Sequence, residues 1–243
     1  MKNILILSDN IFLAEQFVKI YKSFEFPLEK LKIGFNPKGS PLALYSELDG
    51  VEVSAVNVKT GWKEIIQNFD IVFSIHCKQF FPKELVENIK CINVHPGLNP
   101  YNRGWFPQVF SILNKMPLGA TIHEIDEELD HGAIIAQKVV EVELNDTSLS
   151  AYEKVQQAEV ELLIEWMPNL IKGNYAAHPM ETEGNLNLKK DFDALCELDL
   201  SKTQTMGETI DLFRALTHGE YKNAWFIDPK SGEKIYLSIQ LSK

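Results

Sequence analysis

Over the first hundred residues, short unbroken apolar runs alternate with stretches whose apolar residues recur at helical spacing. Residues 4–7 (Ile-Leu-Ile-Leu) form such a run between polar neighbours and predict a strand buried on both faces. Asp9 and Asn10 follow as candidate N-caps for a helix that carries Ile11, Ala14, Phe17, Val18 and Tyr21 on one face. Residues 31–35, 51–56, 71–75 and 91–94 read as further strands. Helices are expected around residues 62–69 and from Pro82, a favourable first helical residue, to about Ile89. This alternation predicts an α/β fold with a doubly wound, mostly parallel sheet. Ligands of such sheets bind beyond the C-terminal ends of the strands. Chemistry is therefore expected at the Ser8–Asn10 turn, after Ile75 and after Val94.

The pattern then changes. A helix is expected over 106–114, two strands over 119–125 and 133–142, and a long amphipathic helix over 148–172, ended by Gly173 and Asn174. Residues 176–205 are polar and read as irregular. A last helix (207–216) precedes a β-hairpin whose arms are 224–227 and 235–241, joined by the turn Asp228-Pro229-Lys230-Ser231-Gly232. A boundary near residue 178 divides a catalytic domain (1–178) from a small C-terminal appendage of helix and β-hairpin (179–243).

Composition narrows the function. With 45% hydrophobic and 24% charged residues, the 243-residue chain has the make-up of a soluble globular protein and can build a core without disulfides or metal. Acidic residues outnumber basic ones by 34 to 24, and the net charge of −10 speaks against a nucleic-acid partner. Cys77, Cys91 and Cys196 form no C-x-x-C pair, which suits reduced thiols in a cytoplasmic protein. The opening apolar run is too short for a secretion leader, and no run is long enough to span a membrane.

Two segments carry candidate chemistry. In Ile92-Asn93-Val94-His95-Pro96-Gly97, residues two apart at the end of a strand point to one side, so Asn93 and His95 share a face. Pro96 keeps His95 extended, and a Pro/Gly-dense turn follows, carrying Arg103. An amide beside an imidazole offers a fixed donor and a titratable acid/base. The second segment is the acidic turn Asp126-Glu127-Glu128-Leu129-Asp130-His131-Gly132 between two apolar strands. Its Asp130 lies beside His131, a pairing that would raise the histidine pKa and orient the ring. Each segment also has a plainer reading: a strand cap with loop hydrogen bonds, and a solvated acidic loop.

Together the segments resemble a known family. N-x-H-P-G-L-x-P-x-x-R-G at 93–104, G-x-T-I-H at 119–123 and L-D-x-G-x-I-I at 129–135 are similar to the folate-dependent formyltransferase superfamily. The resemblance covers residues 70–142. It implies a Rossmann-like formyltransferase fold and 10-formyl-tetrahydrofolate as the formyl donor. It also implies that Asn93, His95 and Asp130 match the catalytic triad. Residues 74–82 and 212–226 further resemble the bacterial nucleotide-sugar N-formyltransferases, in particular those acting on dTDP-4-amino-4,6-dideoxyglucose. That branch implies a homodimer serving O-antigen (lipopolysaccharide) synthesis.

Other branches fit less well. A methionyl-tRNA formyltransferase would carry a longer, basic C-terminal domain, whereas residues 179–243 hold 8 Lys/Arg against 11 Asp/Glu. Glycinamide ribonucleotide transformylase has a glycine-rich phosphate loop after its first strand, where this chain has Leu7-Ser8-Asp9-Asn10.

In the mechanism so implied, the Asn93 amide stabilises the formyl oxygen, with or without a protonated His95. His95, ordinarily of pKa about 6.5, takes the amine proton. Asp130 either orients His95 or reaches the amine itself. The folate is expected over His76, Cys77, Lys78, Gln79, Phe80, Asp126 and Glu127. Lys78 has the alternative of a solvated charge and Phe80 of core packing. For the nucleotide sugar, Arg103 suits a pyrophosphate and Trp105 a ring, unless Arg103 braces its turn and Trp105 fills core. Asn10, Tyr221 and Lys222 are further acceptor candidates, against a helix cap and a surface turn. No metal is expected, and His76, His123, His131, His178 and His218 are left without a catalytic role. The alternatives are a dTDP-3-amino or UDP-4-amino acceptor or, in another class, a non-catalytic folate or nucleotide-sugar binding protein.

Overall fold

A computed structural model describes residues 2–242. In chain order its elements are β1 (Ile4–Ser8), α1 (Ile11–Ser23), β2 (Leu31–Phe35), β3 (Glu47–Leu48), β4 (Val51–Ala55), α2 (Val58–Asn68), β5 (Ile71–Ile75), α3 (Lys83–Val86) and β6 (Lys90–His95). There follow β7 (Arg103–Gly104), α4 (Pro107–Asn114), β8 (Leu118–Glu124), β9 (Ile134–Val140) and α5 (Ser148–Lys172). The chain ends with β10 (Leu186–Asn187), α6 (Lys189–Cys196), α7 (Met206–Leu216), β11 (Ala224–Ile227) and β12 (Lys234–Leu237).

An eight-stranded sheet in the order β3-β4-β2-β1-β5-β6-β8-β9 forms the centre. Its middle, β4-β2-β1-β5-β6, is parallel, and β3, β8 and β9 add on antiparallel. The apolar run of β1 explains its central place, because each face meets a different helical layer. Ile4 and Ile6 pack with Phe17 and Tyr21 of α1 and Leu163 and Met167 of α5. Leu5 and Leu7 pack with Val58 and Ile65 of α2 and Leu85 of α3. Asn10 caps α1 by accepting from the Leu13 N–H, and Gly173 closes α5 in the left-handed region. Among the described residues no helix is long and apolar enough to cross a membrane.

Several boundaries differ from expectation. The helix expected over 62–69 begins at Val58, capped by Asn57, because a polar first turn containing Gly61 hides its start. The helix expected from Pro82 to Ile89 is a single turn, Lys83–Val86, with Pro82 as its cap. The last strand stops at Leu237 rather than 241.

The larger correction concerns 176–205. This segment carries β10 and helix α6, whose Phe192, Leu195 and Cys196 pack inward while its other positions are charged or small. Its first part is a strap across the turn that follows β6, with β10 pairing parallel to β7. The approach is close enough to require glycine on both sides. A Cβ on Gly104 (φ 90°) would meet the Asn187 carbonyl oxygen at 2.4 Å, and one on Gly184 (φ 61°) would meet that of Pro100 at 1.9 Å. Buried Asn102 locks the pair: its backbone N–H donates to Asn185 Oδ1 (2.8 Å), and its own Oδ1 accepts from the side-chain amides of Asn185 (2.7 Å) and Asn114 (2.7 Å). The C-terminal helix is fastened too, since buried Arg214 donates to the carbonyls of Glu143 and Asp146.

Gly184→Ala is expected to lift the strap from the turn and destabilise the protein by about 1–3 kcal/mol, read as a lowered thermal midpoint.

Candidate active site

His95 is the last residue of β6, and Asn93 stands two before it on the same side. The antiparallel register sets Asn93 opposite His123 of β8 and His95 opposite Thr121. Asp130 arrives from the loop between β8 and β9 in the left-handed region, with φ 49°. Its backbone oxygen accepts from the Asn99 side chain at 2.8 Å, and its carboxylate turns toward β6. There Oδ1 accepts from Asn93 Nδ2 (3.0 Å) and Oδ2 accepts from the Gly104 N–H (3.1 Å), with His95 Nδ1 3.5 Å from Oδ2. The three residues singled out from the N-x-H and L-D motifs therefore form one cluster.

His123, left without a role by sequence reasoning, completes it. Its Nδ1 donates to the Glu124 carbonyl (2.6 Å), so in the neutral ring Nε2 is an acceptor, and Asn93 Nδ2 donates to it at 3.1 Å. Both amide hydrogens of Asn93 are thus engaged. The signal that finds His123 is strand register, which a single sequence does not carry.

Burial and charge act in opposite directions here. Burial pushes the His95 imidazole down to about 4, more than offsetting the pull of Asp130 the other way. Burial alone would raise Asp130, but His95, His123 and the Gly104 N–H hold it at about 2. At neutral pH the pair is a neutral imidazole beside a carboxylate. The enclosure of His95 thus favours the neutral imidazole in the resting site. The expected pairing of Asp130 with His131 is also corrected. The backbone at Asp130 turns its carboxylate inward, while His131 Nδ1 meets Asp126 at 2.8 Å, a bond that raises the His131 pKa.

The cluster lines a cavity of about 710 Å³, the size of a small-molecule site. One set of lining residues comes from the segments after β5 and β8: Cys77, Lys78, Phe80, Phe81, Ile125 and Leu129. The other comes from the residue after β7, from α4, α5 and the C-terminal unit: Trp105, Gln108, Ser148, Tyr152, His218 and Tyr221. Burial pushes the Cys77 thiol up to about 12, which makes it a poor nucleophile.

Of the residues expected to meet folate, His76, Cys77, Lys78, Gln79, Phe80 and Asp126 line this cavity. Gln79 is braced, with Nε2 donating to the Val56 carbonyl and Oε1 accepting from the Val58 N–H. Glu127 lies outside, paired with Lys83. Among the acceptor candidates Trp105 and Tyr221 line the cavity, and Asn10 stands behind its wall, donating to the Tyr152 hydroxyl at 3.1 Å. Arg103 is buried and turned away: Nη1 donates to the Leu129 carbonyl (3.3 Å) and Nη2 lies 3.6 Å from Glu183. Lys222 lies over the Tyr236 ring, 5.6 Å from its centroid. Among the described residues no group of three or more His, Cys, Asp or Glu side chains is placed to hold a metal ion.

Comparison with known proteins agrees with this geometry. Residues 61–167 match the family described as formyl transferase, and 191–243 match the N-formyltransferase dimerization C-terminal domain. A relative in Mycobacterium tuberculosis, dTDP-4-amino-4,6-dideoxyglucose formyltransferase, is 51% identical over 178 residues, 73% of this chain and 76% of that one. The crystal structure of a 4-N formyltransferase from Francisella tularensis superposes with a TM-score of 0.93 at 42% identity, covering 100% of this chain and 98% of that one. A sugar N-formyltransferase from Shewanella sp. gives 0.92 at 40% identity, over 99% and 98% of the two chains. The chain belongs to the formyl transferase family. Within that family its place is among the sugar N-formyltransferases.

The depressed His95 pKa has a measurable consequence. The reference imidazole pKa is about 6.5, so between that pH and about 4 the unfolded chain binds a proton at this position that the folded chain does not. Stability therefore rises with pH across this window, and this contribution is lost as the pH falls through it. Nitrogen NMR of labelled histidine is expected to find the His95 ring still neutral at about pH 5, and His95→Gln to flatten the pH dependence of stability across the window.

Proposed function

We propose that this enzyme N-formylates the amino group of a dTDP-linked amino-deoxysugar, dTDP-4-amino-4,6-dideoxyglucose, using 10-formyl-tetrahydrofolate. The observation that carries the reading is the Asn93–His95–Asp130 cluster set in the wall of a small-molecule cavity, in a chain 51% identical over 178 residues to a relative named for that acceptor. An apolar wall containing Phe80, Phe81 and Leu129 suits a flat pteridine, and the polar wall opposite suits a nucleotide sugar. The folate supplies a formyl carbon activated by its nitrogen.

The chain's own residues then have separate tasks. His95, neutral and with Nε2 unpartnered, accepts the proton that the amine sheds as its bond to the formyl carbon forms, and returns it to the folate nitrogen as the bond from that nitrogen to the formyl carbon breaks and tetrahydrofolate leaves. Asp130, 3.5 Å from Nδ1, stabilises the imidazolium so produced and keeps the ring in place. Asn93 Nδ2 supplies the donor for the formyl oxygen. Its bond to His123 is between neutral groups and is the one released, while the charge-assisted bond to Asp130 holds the amide in place.

Beyond the reaction, we take residues 1–178 as the catalytic domain and 179–243 as the unit through which two copies associate. Support comes from the dimerization family match and the apolar Leu200, Met206, Ile210 and Ile227 exposed on that unit. The three free cysteines suit the cytoplasm.

The test is turnover with 10-formyl-tetrahydrofolate and a panel of dTDP- and UDP-linked amino sugars, read by product mass. Formylation of the dTDP-4-amino sugar is the expected result. Formylation of only a 3-amino or UDP-linked sugar overturns the acceptor, and no formylation of any sugar overturns the reading. Asn93→Ala should lower kcat by about 10²–10³-fold while leaving donor and acceptor affinity largely intact, which a mere binding protein would not show.

A further inference from the structure

Behind the polar wall of the cavity lies a buried chain of side chains that the reaction described above does not use. Glu159 sits in the middle of α5 with no exposed surface, and both its carboxylate oxygens lie against one atom, His76 Nε2, at 2.8 and 2.9 Å. Burial pushes its carboxyl above the ordinary value. His76 itself is held in the left-handed region, φ 53°, at the end of β5. Its other nitrogen, Nδ1, is 2.9 Å from the Tyr152 hydroxyl, which also accepts from Asn10 Nδ2 at 3.1 Å. The Asn10 orientation is settled by its cap, because Oδ1 is occupied by the Leu13 N–H and only Nδ2 is left to face Tyr152.

An ionisable side chain enclosed in this way is costly, and an apolar residue would fill the place at least as well for stability. What the arrangement does accomplish is visible at its far end. A phenol hydroxyl has one donor and two acceptor positions. Asn10 and His76 take two of the three, whichever tautomer His76 adopts, and hold the hydroxyl in one place. The ring stands between His76 and His218, with centroids 5.7 and 5.6 Å away, in the wall that also holds Tyr221. One hydrogen-bonding position of the Tyr152 oxygen is left for a ligand.

We propose that Tyr152 binds an oxygen of the nucleotide-linked acceptor, and that Glu159, acting through His76, is a positioning residue for its hydroxyl. The assignment rests on the functional reading above and goes beyond it by naming the group that holds the acceptor rather than the folate.

The experiment is a double-mutant cycle in the full chain: Tyr152→Phe, Glu159→Leu and both together, with KM measured separately for the dTDP-amino sugar and for 10-formyl-tetrahydrofolate. Tyr152→Phe removes one hydrogen bond and should raise the acceptor KM about five- to tenfold, with the folate KM unchanged. Glu159→Leu should raise the acceptor KM in the same way and add nothing to the double variant, since it acts only through the hydroxyl. Glu159→Gln, which keeps an oxygen for the imidazole, should restore most of the affinity. An unchanged acceptor KM in Tyr152→Phe, or a folate KM that rises equally, overturns the proposal. Additive effects overturn the role given to Glu159, and should Glu159→Leu not fold, Tyr152→Phe together with Glu159→Gln decides the matter. A natural protein that formylates no amino sugar would sink the functional reading, and this inference with it. An active natural protein with an unaltered Tyr152→Phe sinks the inference alone.

Discussion

The carboxylate of Asp130 is almost wholly enclosed, and a buried charge is tolerated only where donors are already waiting for it. Those donors come from separate parts of the chain: the Asn93 amide on β6, itself braced by His123 of β8, the Gly104 N–H on β7, and the His95 imidazole at the end of β6. Each is in place only because a larger arrangement holds. Gly104 belongs to a two-residue strand that exists by pairing with β10, a strand in a segment whose polarity reads as loop. His123 faces Asn93 because β8 runs antiparallel to β6 in one register. The buried cluster around Asp130, the sheet edge and the C-terminal strap are thus conditions of one another. The same enclosure pushes the two members of the His95–Asp130 pair to opposite charge states, burial lowering the imidazole while its neighbours hold the carboxyl low.

How far this was legible in the sequence depended on whether a feature is local. Strands buried on both faces read as apolar runs, so β1, β5 and β6 were found almost to the residue. Asn93 and His95 share a face through a spacing of two within one strand, and the motif around Asp130 adds the third member. His123 depends on which strand lies beside β6 and in which direction it runs, and no run of residues states that. Glu159 reads as one more charge on a long amphipathic helix until α5 is laid across the sheet and the position proves to be interior. Helix α6 has eight residues, half of them charged, too few apolar positions for its period to stand out. Arg103 illustrates the opposite case: its planar fork suits a diphosphate, yet it is taken up by the Leu129 carbonyl of the loop between β8 and β9 and by Glu183 of the strap.

One local feature closes the first turn of the sheet to an anion. In a doubly wound sheet the crevice at the ends of the two strands where the order reverses, here β1 and β5, is the usual place for a phosphate, held by backbone N–H groups of the first turn. This chain puts Asp9 there. Its Oδ1 accepts the Asn36 N–H at 3.0 Å and Oδ2 the Lys78 N–H at 2.9 Å. Backbone donors of the Asn36 and Lys78 turns are taken by an anion the chain carries itself, and a phosphate would meet a carboxylate. The same two bonds tie the segment after β5 to the end of β2, fixing the loop that forms one wall of the cavity. The cavity of the candidate site opens one strand along, at the ends of β5 and β6, where Asn93 and His95 stand. The first turn, where a phosphate would be sought on fold grounds alone, has become a structural clamp for the site beside it.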